Sequence, residues 1–147
     1  MKRLGSVLVV DDDPVLREVL SEALGAAGFA VFAAEDGELA IRQLSACRTD
    51  LVVLDMLMPN MDGVEALREI RRRWPSLPVI AISGGSNKAR LILQADLLLE
   101  MAAELGAEAI MAKPLDMPAM LAVAARLAAR NGADPVAQPA QAQILAR

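Results

Sequence analysis

Five polar side chains of the sequence follow directly on short apolar runs. They are Asp11 and Asp12 after Val7–Val10, Asp55 after Leu51–Leu54, Ser83 after Val79–Ile82, and Lys113 after Ala109–Ala112. Runs that short show no helical period and are typical of strands buried on both faces of a parallel sheet. The carboxyl ends of such strands share one edge, where α/β proteins bind ligands. We therefore expect the five side chains to meet at that edge.

This set of side chains indicates phosphoryl chemistry. Carboxylates gathered at one place repel each other and raise one another's pKa, a conflict that a divalent cation removes. The chain contains no His, and oxygen ligands alone favour Mg²⁺ or a similar hard ion. The Lys113 ammonium and the Ser83 hydroxyl are suitable donors to phosphate oxygens. Together these groups match phosphoryl transfer to an aspartate, which depends mainly on positioning and charge neutralisation.

Helical patterns separate the apolar runs, so strands and helices alternate five times. Predicted strands are Val7–Val10, Phe29–Ala33, Leu51–Leu54, Val79–Ile82 and Ala109–Ala112; predicted helices begin at Pro14, Gly37, Gly63, about Leu97, and Asp116. Asp13 is expected to cap the first helix and Gly28 to end it. This alternation predicts an α/β fold, a parallel sheet with helices on both faces and right-handed crossovers.

Composition narrows the class of protein. The 147 residues are 55% hydrophobic and 2% aromatic, which predicts one domain with an aliphatic core over residues 1–130. Residues 131–147, rich in Ala, Gln and Pro, are expected to form a flexible tail and no output domain. The net charge of −4 argues against nucleic-acid binding. No stretch suits a membrane span, so a cytoplasmic protein is expected.

Two smaller expectations concern the helices. Cys47, the one cysteine, is predicted to lie in the second helix as a buried, inert thiol. Arg71, Arg72 and Arg73 end the third helix, where cations favour the helix C-terminus and solvate its face.

The chain resembles the receiver domains of two-component response regulators over residues 4 to about 130. The motifs that carry the resemblance are Val-Val-Asp-Asp-Asp-Pro at Val9–Pro14, Leu-Asp-Met-Leu-Met-Pro-Asn-Met-Asp-Gly at Leu54–Gly63, Ile-Ser-Gly at Ile82–Gly84, and Lys-Pro-Leu at Lys113–Leu115. The resemblance implies a flavodoxin-like, doubly wound (βα)₅ fold with strand order 2-1-3-4-5. It further implies a stand-alone phosphoprotein of phosphorelay signal transduction.

The same resemblance assigns roles at the site. Asp55 is expected to accept phosphate from a histidine kinase or a His-containing phosphotransfer protein. Mg²⁺ would be held by Asp11 and Asp12, with Asp12, Asp55 and the Leu57 carbonyl as direct ligands. Lys113 would pair with the phosphoryl group. The protein would be no enzyme in the usual sense, since it catalyses only its own phosphorylation and slow dephosphorylation.

The chain departs from its relatives at the switch, the set of residues expected to change conformation on phosphorylation. Ser83 would move to hydrogen-bond the phosphoryl oxygen, and Lys113 would precede a cis peptide to Pro114, but Ile110 stands where relatives have Tyr or Phe. The segment from Ser83 to Lys113 is also about one to two helical turns longer than usual. Signalling is therefore expected to pass through residues 84–94 and the fourth helix. An unknown downstream protein would bind the fourth helix, fifth strand and fifth helix, and a homodimer is possible.

Two other functions fit parts of the sequence. The run Asp11–Val15 matches the Asp-x-Asp-x-Val of haloacid-dehalogenase phosphatases, with Asp11 as nucleophile. Such enzymes need a later acidic pair, and only Asp116 and Asp134 follow Lys113. A pseudo-receiver that binds a partner without phosphorylation is the other alternative. It is favoured by Ile110 and by Leu115, which stands where relatives usually have Phe.

Overall fold

A computed structural model describes residues 3–58, 63–84, 97 and 99–130. The strands are β1 (Gly5–Val10), β2 (Phe29–Ala34), β3 (Leu51–Asp55), β4 (Val79–Gly84) and β5 (Ala109–Lys113). The helices are α1 (Pro14–Ala27), α2 (Gly37–Ala46), α3 (Gly63–Arg73), α4 (described at 97 and 99–104) and α5 (Met117–Arg130). None of the helices in this part of the chain has both the length and the apolarity needed to cross a bilayer.

The five strands form one parallel sheet in the order β2-β1-β3-β4-β5. The predicted flavodoxin-like arrangement is therefore confirmed. In the sheet register, Val10 lies opposite Leu54, Asp55 lies opposite Ile82, and Gly84 lies opposite Lys113. The carboxyl ends of β1, β3, β4 and β5 therefore lie close to one another along a single edge.

Residues of the central strands alternate between two cores, one on each face of the sheet, because successive side chains of a strand point to opposite faces. On one face, Leu8, Val10, Val52, Leu54 and Ala81 pack with buried residues of α2, α3 and α4. On the other face, Val7, Val9, Leu51, Val53 and Ile82 pack with buried residues of α1 and α5. Both faces of the sheet are covered, which explains why the central strands are continuously apolar.

Helix ends follow the predicted chemistry where they are described. The Asp13 carboxylate accepts the Val15 N–H at 3.0 Å, and Pro14 occupies the first helical turn. Gly28 ends α1 with φ 116°, a left-handed conformation that glycine adopts without strain. The Asp116 carboxylate accepts the Ala119 N–H at 3.2 Å, at the start of α5. Asp62, which the sequence suggests as a cap or turn residue before Gly63, lies outside the described residues.

Two expectations about the helices were wrong. Cys47 is exposed and follows the last turn of α2 instead of lying buried within it. Arg71 is not a solvated cation, since its side chain is only 18% exposed. Its guanidinium donates to the Leu77 carbonyl at 2.6 Å and to the Gly106 carbonyl at 2.8 Å, and its Nη2 forms an ion pair with both carboxylate oxygens of Glu108. Arg71 thereby ties the end of α3 to the loops that precede β4 and β5.

Candidate functional site

Three carboxylates converge at the shared strand edge. One oxygen each of Asp11, Asp12 and Asp55 lies within 4.8 Å of the others. Asp11 and Asp55 are 0% and 3% exposed, whereas Asp12 is exposed. Two buried acids and one acid open to solvent form a pocket that can hold a hard cation with solvent access, as Mg²⁺ sites require.

Lys113 lies between the two buried acids. Its Nζ is 3.2 Å from Asp11 Oδ2 and 3.4 Å from Asp55 Oδ2. Burial acts to lower the pKa of Lys113, but the charges of Asp55 and Asp11 outweigh it and leave that pKa raised. The lysine is therefore a fixed positive charge at the site.

A single lysine does not balance the carboxylates. Burial, followed by the charge of Asp11, raises the pKa of Asp55 from 3.8 to about 7, although Lys113 and the Leu57 N–H both act to lower it. Ionised Asp55 is therefore costly in this pocket. A second positive charge, such as a divalent cation, would remove that cost, so the donor set fits Mg²⁺.

Local backbone contacts hold the acids in place. The Leu57 N–H donates to Asp55 Oδ1 at 3.1 Å, and the Asp13 N–H donates to Asp11 Oδ1 at 2.9 Å. Arg17, in α1, donates from Nη1 to the Asp11 carbonyl at 2.8 Å. Sequence reasoning missed Arg17. The only sequence feature that pointed to Arg17 was its position one turn into the helix that follows the acids, and many helices carry a cation there.

Two buried polar atoms at this edge lack a hydrogen bond within the described residues. They are Ser83 Oγ and Asp11 Oδ2, the latter having only its ion-pair contact with Lys113. Ser83 is fully buried near the end of β4. A buried hydroxyl without a partner costs free energy. Both atoms are suited to a ligand that brings a cation and phosphate-like oxygens.

The other predicted features of the site and the switch have different outcomes. The Lys113–Pro114 peptide is cis, as the resemblance implied. Ile110 lies on β5 and is 45% exposed, facing solvent and not the carboxylates' buried pocket. The predicted signalling segment 84–94 lies outside the described residues except for Gly84. The Leu57 carbonyl as a metal ligand stays a prediction.

A parallel sheet of this order, with three acids and a lysine at its carboxyl edge, defines a flavodoxin-like α/β domain with an acidic pocket. The chain belongs to the response regulator receiver domain family, whose model matches residues 7–125. The predicted membership of the receiver domain family of two-component response regulators is thus confirmed.

Comparisons with individual proteins lead to the same family. The chain is 33% identical to the response regulator MprA of Mycolicibacterium vanbaalenii over 116 residues, 79% of this chain and 47% of MprA. It resembles the receiver domain of NtrX from Brucella abortus with 29% identity and a TM-score of 0.73, covering 84% of this chain and 98% of that one. It also resembles the chemotaxis protein CheY4 of Vibrio cholerae with 25% identity and a TM-score of 0.70, covering 84% and 98%. The chain spans about half the length of the curated relatives it matches.

Proposed function

We propose that Asp55 of this chain accepts a phosphoryl group from a phosphohistidine on a histidine kinase or a His-containing phosphotransfer protein. The observation that carries the proposal is the convergence of Asp11, Asp12 and Asp55 within 4.8 Å, with Lys113 Nζ 3.4 Å from Asp55. An aspartate beside a cation-binding pair and a lysine is arranged for phosphoryl transfer. The family supports the same role.

Asp55 is the best placed of the acids to be the acceptor. It ends the central strand β3, flanked by β1 and β4, so the other site residues approach it from both sides. In the transfer, an Asp55 carboxylate oxygen forms a bond to phosphorus while the bond from phosphorus to the histidine nitrogen breaks. The imidazole leaves with the electron pair of that bond. The donor histidine lies outside these 147 residues, which contain none.

Asp11, Asp12, Asp55 and the Leu57 carbonyl would hold Mg²⁺. When bound, the ion would neutralise charge on the carboxylates and the phosphoryl oxygens. Lys113 would move from its carboxylate partners to a phosphoryl oxygen, which its flexible stem permits. Ser83 Oγ, which has no partner among the described residues, would donate to a second phosphoryl oxygen.

The experiment is incubation with acetyl phosphate and Mg²⁺ followed by intact mass spectrometry. Wild-type protein should gain the mass of one phosphoryl group, and Asp55→Asn should gain none. Asp36→Asn is the matched control, because Asn also caps helices and Asp36 caps α2 away from the site. Peptide mapping then locates the adduct. No adduct on the wild type, or an adduct on Asp11, would contradict the proposal.

Residues 1–130 are proposed to act as the receiver domain, with an output that depends on contacts with a downstream protein. The surface formed by α4, β5 and α5 supports this choice, since it exposes Leu97 and Ile110, 56% and 45% exposed. Ile110 offers no aromatic ring to reorient, so signalling is proposed to shift an existing equilibrium of α4. Amide exchange at 99–104 with and without beryllofluoride tests this; unchanged protection would contradict it. The same measurement would support a pseudo-receiver if beryllofluoride did not bind.

A further inference from the structure

A cavity of about 480 Å³, open to solvent on one side, lies beside the edge strand β2, and none of the three site carboxylates lines it. Its wall is formed by the carboxyl end of β2, including Ala33 and Ala34, and by one side of α2, including Leu39 and Ala46. Cavities of about 300–1,000 Å³ are typical of small-molecule sites. Residues 39, 42, 43 and 46 recur at helical spacing, so this side of α2 faces the cavity and not the core.

Positively charged side chains outnumber negatively charged ones in the lining of the cavity. Arg17 of α1 and Arg42 of α2 both line it, opposed by a single acid, Glu35. Within the described residues, neither arginine forms an ion pair with Glu35 or with any other carboxylate. Arg17 is held by its hydrogen bond to the Asp11 carbonyl, while Arg42 makes no such contact with any residue that the structure describes. The cavity therefore carries a net positive charge and one guanidinium free to bind a ligand.

We propose that this cavity binds a small organic anion that has a flat apolar body and one carboxylate, sulfonate or phosphate group. The guanidinium of Arg42 would make a two-pronged contact with the anionic group, since its planar fork matches such oxygens. The apolar body would lie against Ala33, Ala34, Leu39 and Ala46, small or aliphatic side chains that leave room for it. A bare inorganic anion would leave this apolar wall uncovered, and a cation would meet two arginines.

The test uses the full chain and the probe anilinonaphthalene sulfonate, an aromatic anion whose fluorescence rises on binding. Saturable one-to-one binding is expected, with amide shifts in a nitrogen–proton NMR spectrum confined to the end of β2, Glu35, α2 and the turn of α1 around Arg17. Arg42→Ala should weaken binding at least about tenfold, because it removes a two-pronged contact and the loss of even one charge-assisted hydrogen bond has an effect of that size. Ala46→Leu should weaken it about as much by filling the cavity. Arg17 is left intact, because it also holds Asp11.

Arg126→Ala, an exposed arginine of α5, is the matched control and should bind the probe as the wild type does. Equal affinity of wild type, Arg42→Ala and Ala46→Leu would overturn the proposal, as would amide shifts centred away from the residues that line the cavity. Inorganic phosphate that displaced the probe at equal concentration would also overturn it, since the apolar body would then contribute nothing. Asp55→Asn should bind the probe unchanged, which separates this site from the phosphoacceptor.

Discussion

Gly63, the first residue of α3, lies against Met56 so closely that a Cβ on Gly63 would stand 2.2 Å from Met56 Cα. The same Cβ would stand 2.7 Å from the Asp55 carbonyl oxygen. These neighbours are backbone atoms of Asp55 and Met56, and backbone cannot move aside as a flexible side chain can. The first residue of α3 is thus in close contact with the backbone that positions Asp55.

Gly63→Ala should therefore lower the free energy of unfolding by about 3 kcal/mol, the upper range for overpacking, and slow phosphorylation by acetyl phosphate. Gly25→Ala is the control. A Cβ there meets only Val31 Cγ2 at 4.0 Å, so alanine should stabilise α1 by about 0.5–1 kcal/mol. Urea denaturation measures both. A Gly63→Ala protein as stable as the wild type would contradict the contact.

The stability of the metal-free protein should depend on pH through Asp55. Its pKa is raised from 3.8 to about 7 on folding, so the folded state binds more protons than the unfolded state between about pH 4 and pH 7. The free energy of unfolding should therefore fall by about 1–3 kcal/mol as pH rises through this window. Mg²⁺ at pH 8 should restore it. Urea denaturation in EDTA and in Mg²⁺ measures both effects.

Asp55→Asn should abolish most of that fall and be more stable than the wild type at pH 8 without Mg²⁺. Asp36→Asn should keep the wild-type pH dependence. A variant at position 55 whose pH dependence matched that of the wild type would show that another group titrates.

Lys113 and Asp55 should be energetically coupled. Removing Lys113 leaves two buried carboxylates without their cation, and breaking such a pair from one side is costly. Lys113→Met should therefore destabilise the metal-free protein at pH 8 by about 3 kcal/mol. In the double variant with Asp55→Asn the loss should be smaller by about 1–3 kcal/mol. A double-mutant cycle from urea denaturation measures this coupling, and additive effects would argue against the ion pair.

Leu57 should make the phosphorylated form long-lived. It stands two residues after Asp55, and its aliphatic side chain cannot orient a water for attack on the acyl phosphate. Leu57→Asn supplies an amide that can do so and should speed dephosphorylation about tenfold. Leu57→Met, which adds no polar group, should leave the decay unchanged. Intact mass spectrometry follows the decay after donor removal; a wild-type half-life of seconds would disprove slow hydrolysis.

Arg71 should contribute far more to stability than its neighbour Arg72. Arg71 is half-buried and bonds to two carbonyls and to Glu108, whose pKa burial raises. Arg71→Met should cost about 2–4 kcal/mol because it leaves the Glu108 charge and the carbonyls unpaired. Arg72 pairs with Glu69 on the exposed helix surface, so Arg72→Met should change little. Thermal unfolding compares the two, and equal losses would contradict this ranking.

The site's layout could be read from the chain because it depends on local order. Each polar residue follows a buried strand, and parallel strands bring their carboxyl ends to one edge whatever the details of packing. The helix caps at Asp13 and Gly28 were predictable for the same reason, since a cap depends on its own few neighbours. The order of strands, helices and polar residues along the chain therefore determined which sheet forms and which residues meet at its carboxyl edge.

Other features depend on contacts between distant segments. Arg71 reads as one of three cations at a helix end, but the fold places it against Gly106 and Glu108, 35 and 37 residues away. The requirement for glycine at position 63 comes from a backbone that folds back on itself. The raised pKa of Asp55 comes from burial and from Asp11 on another strand. Local sequence determined which groups this protein has and where the strands end; only tertiary packing decided their solvation and partners, because desolvation and charge act through space.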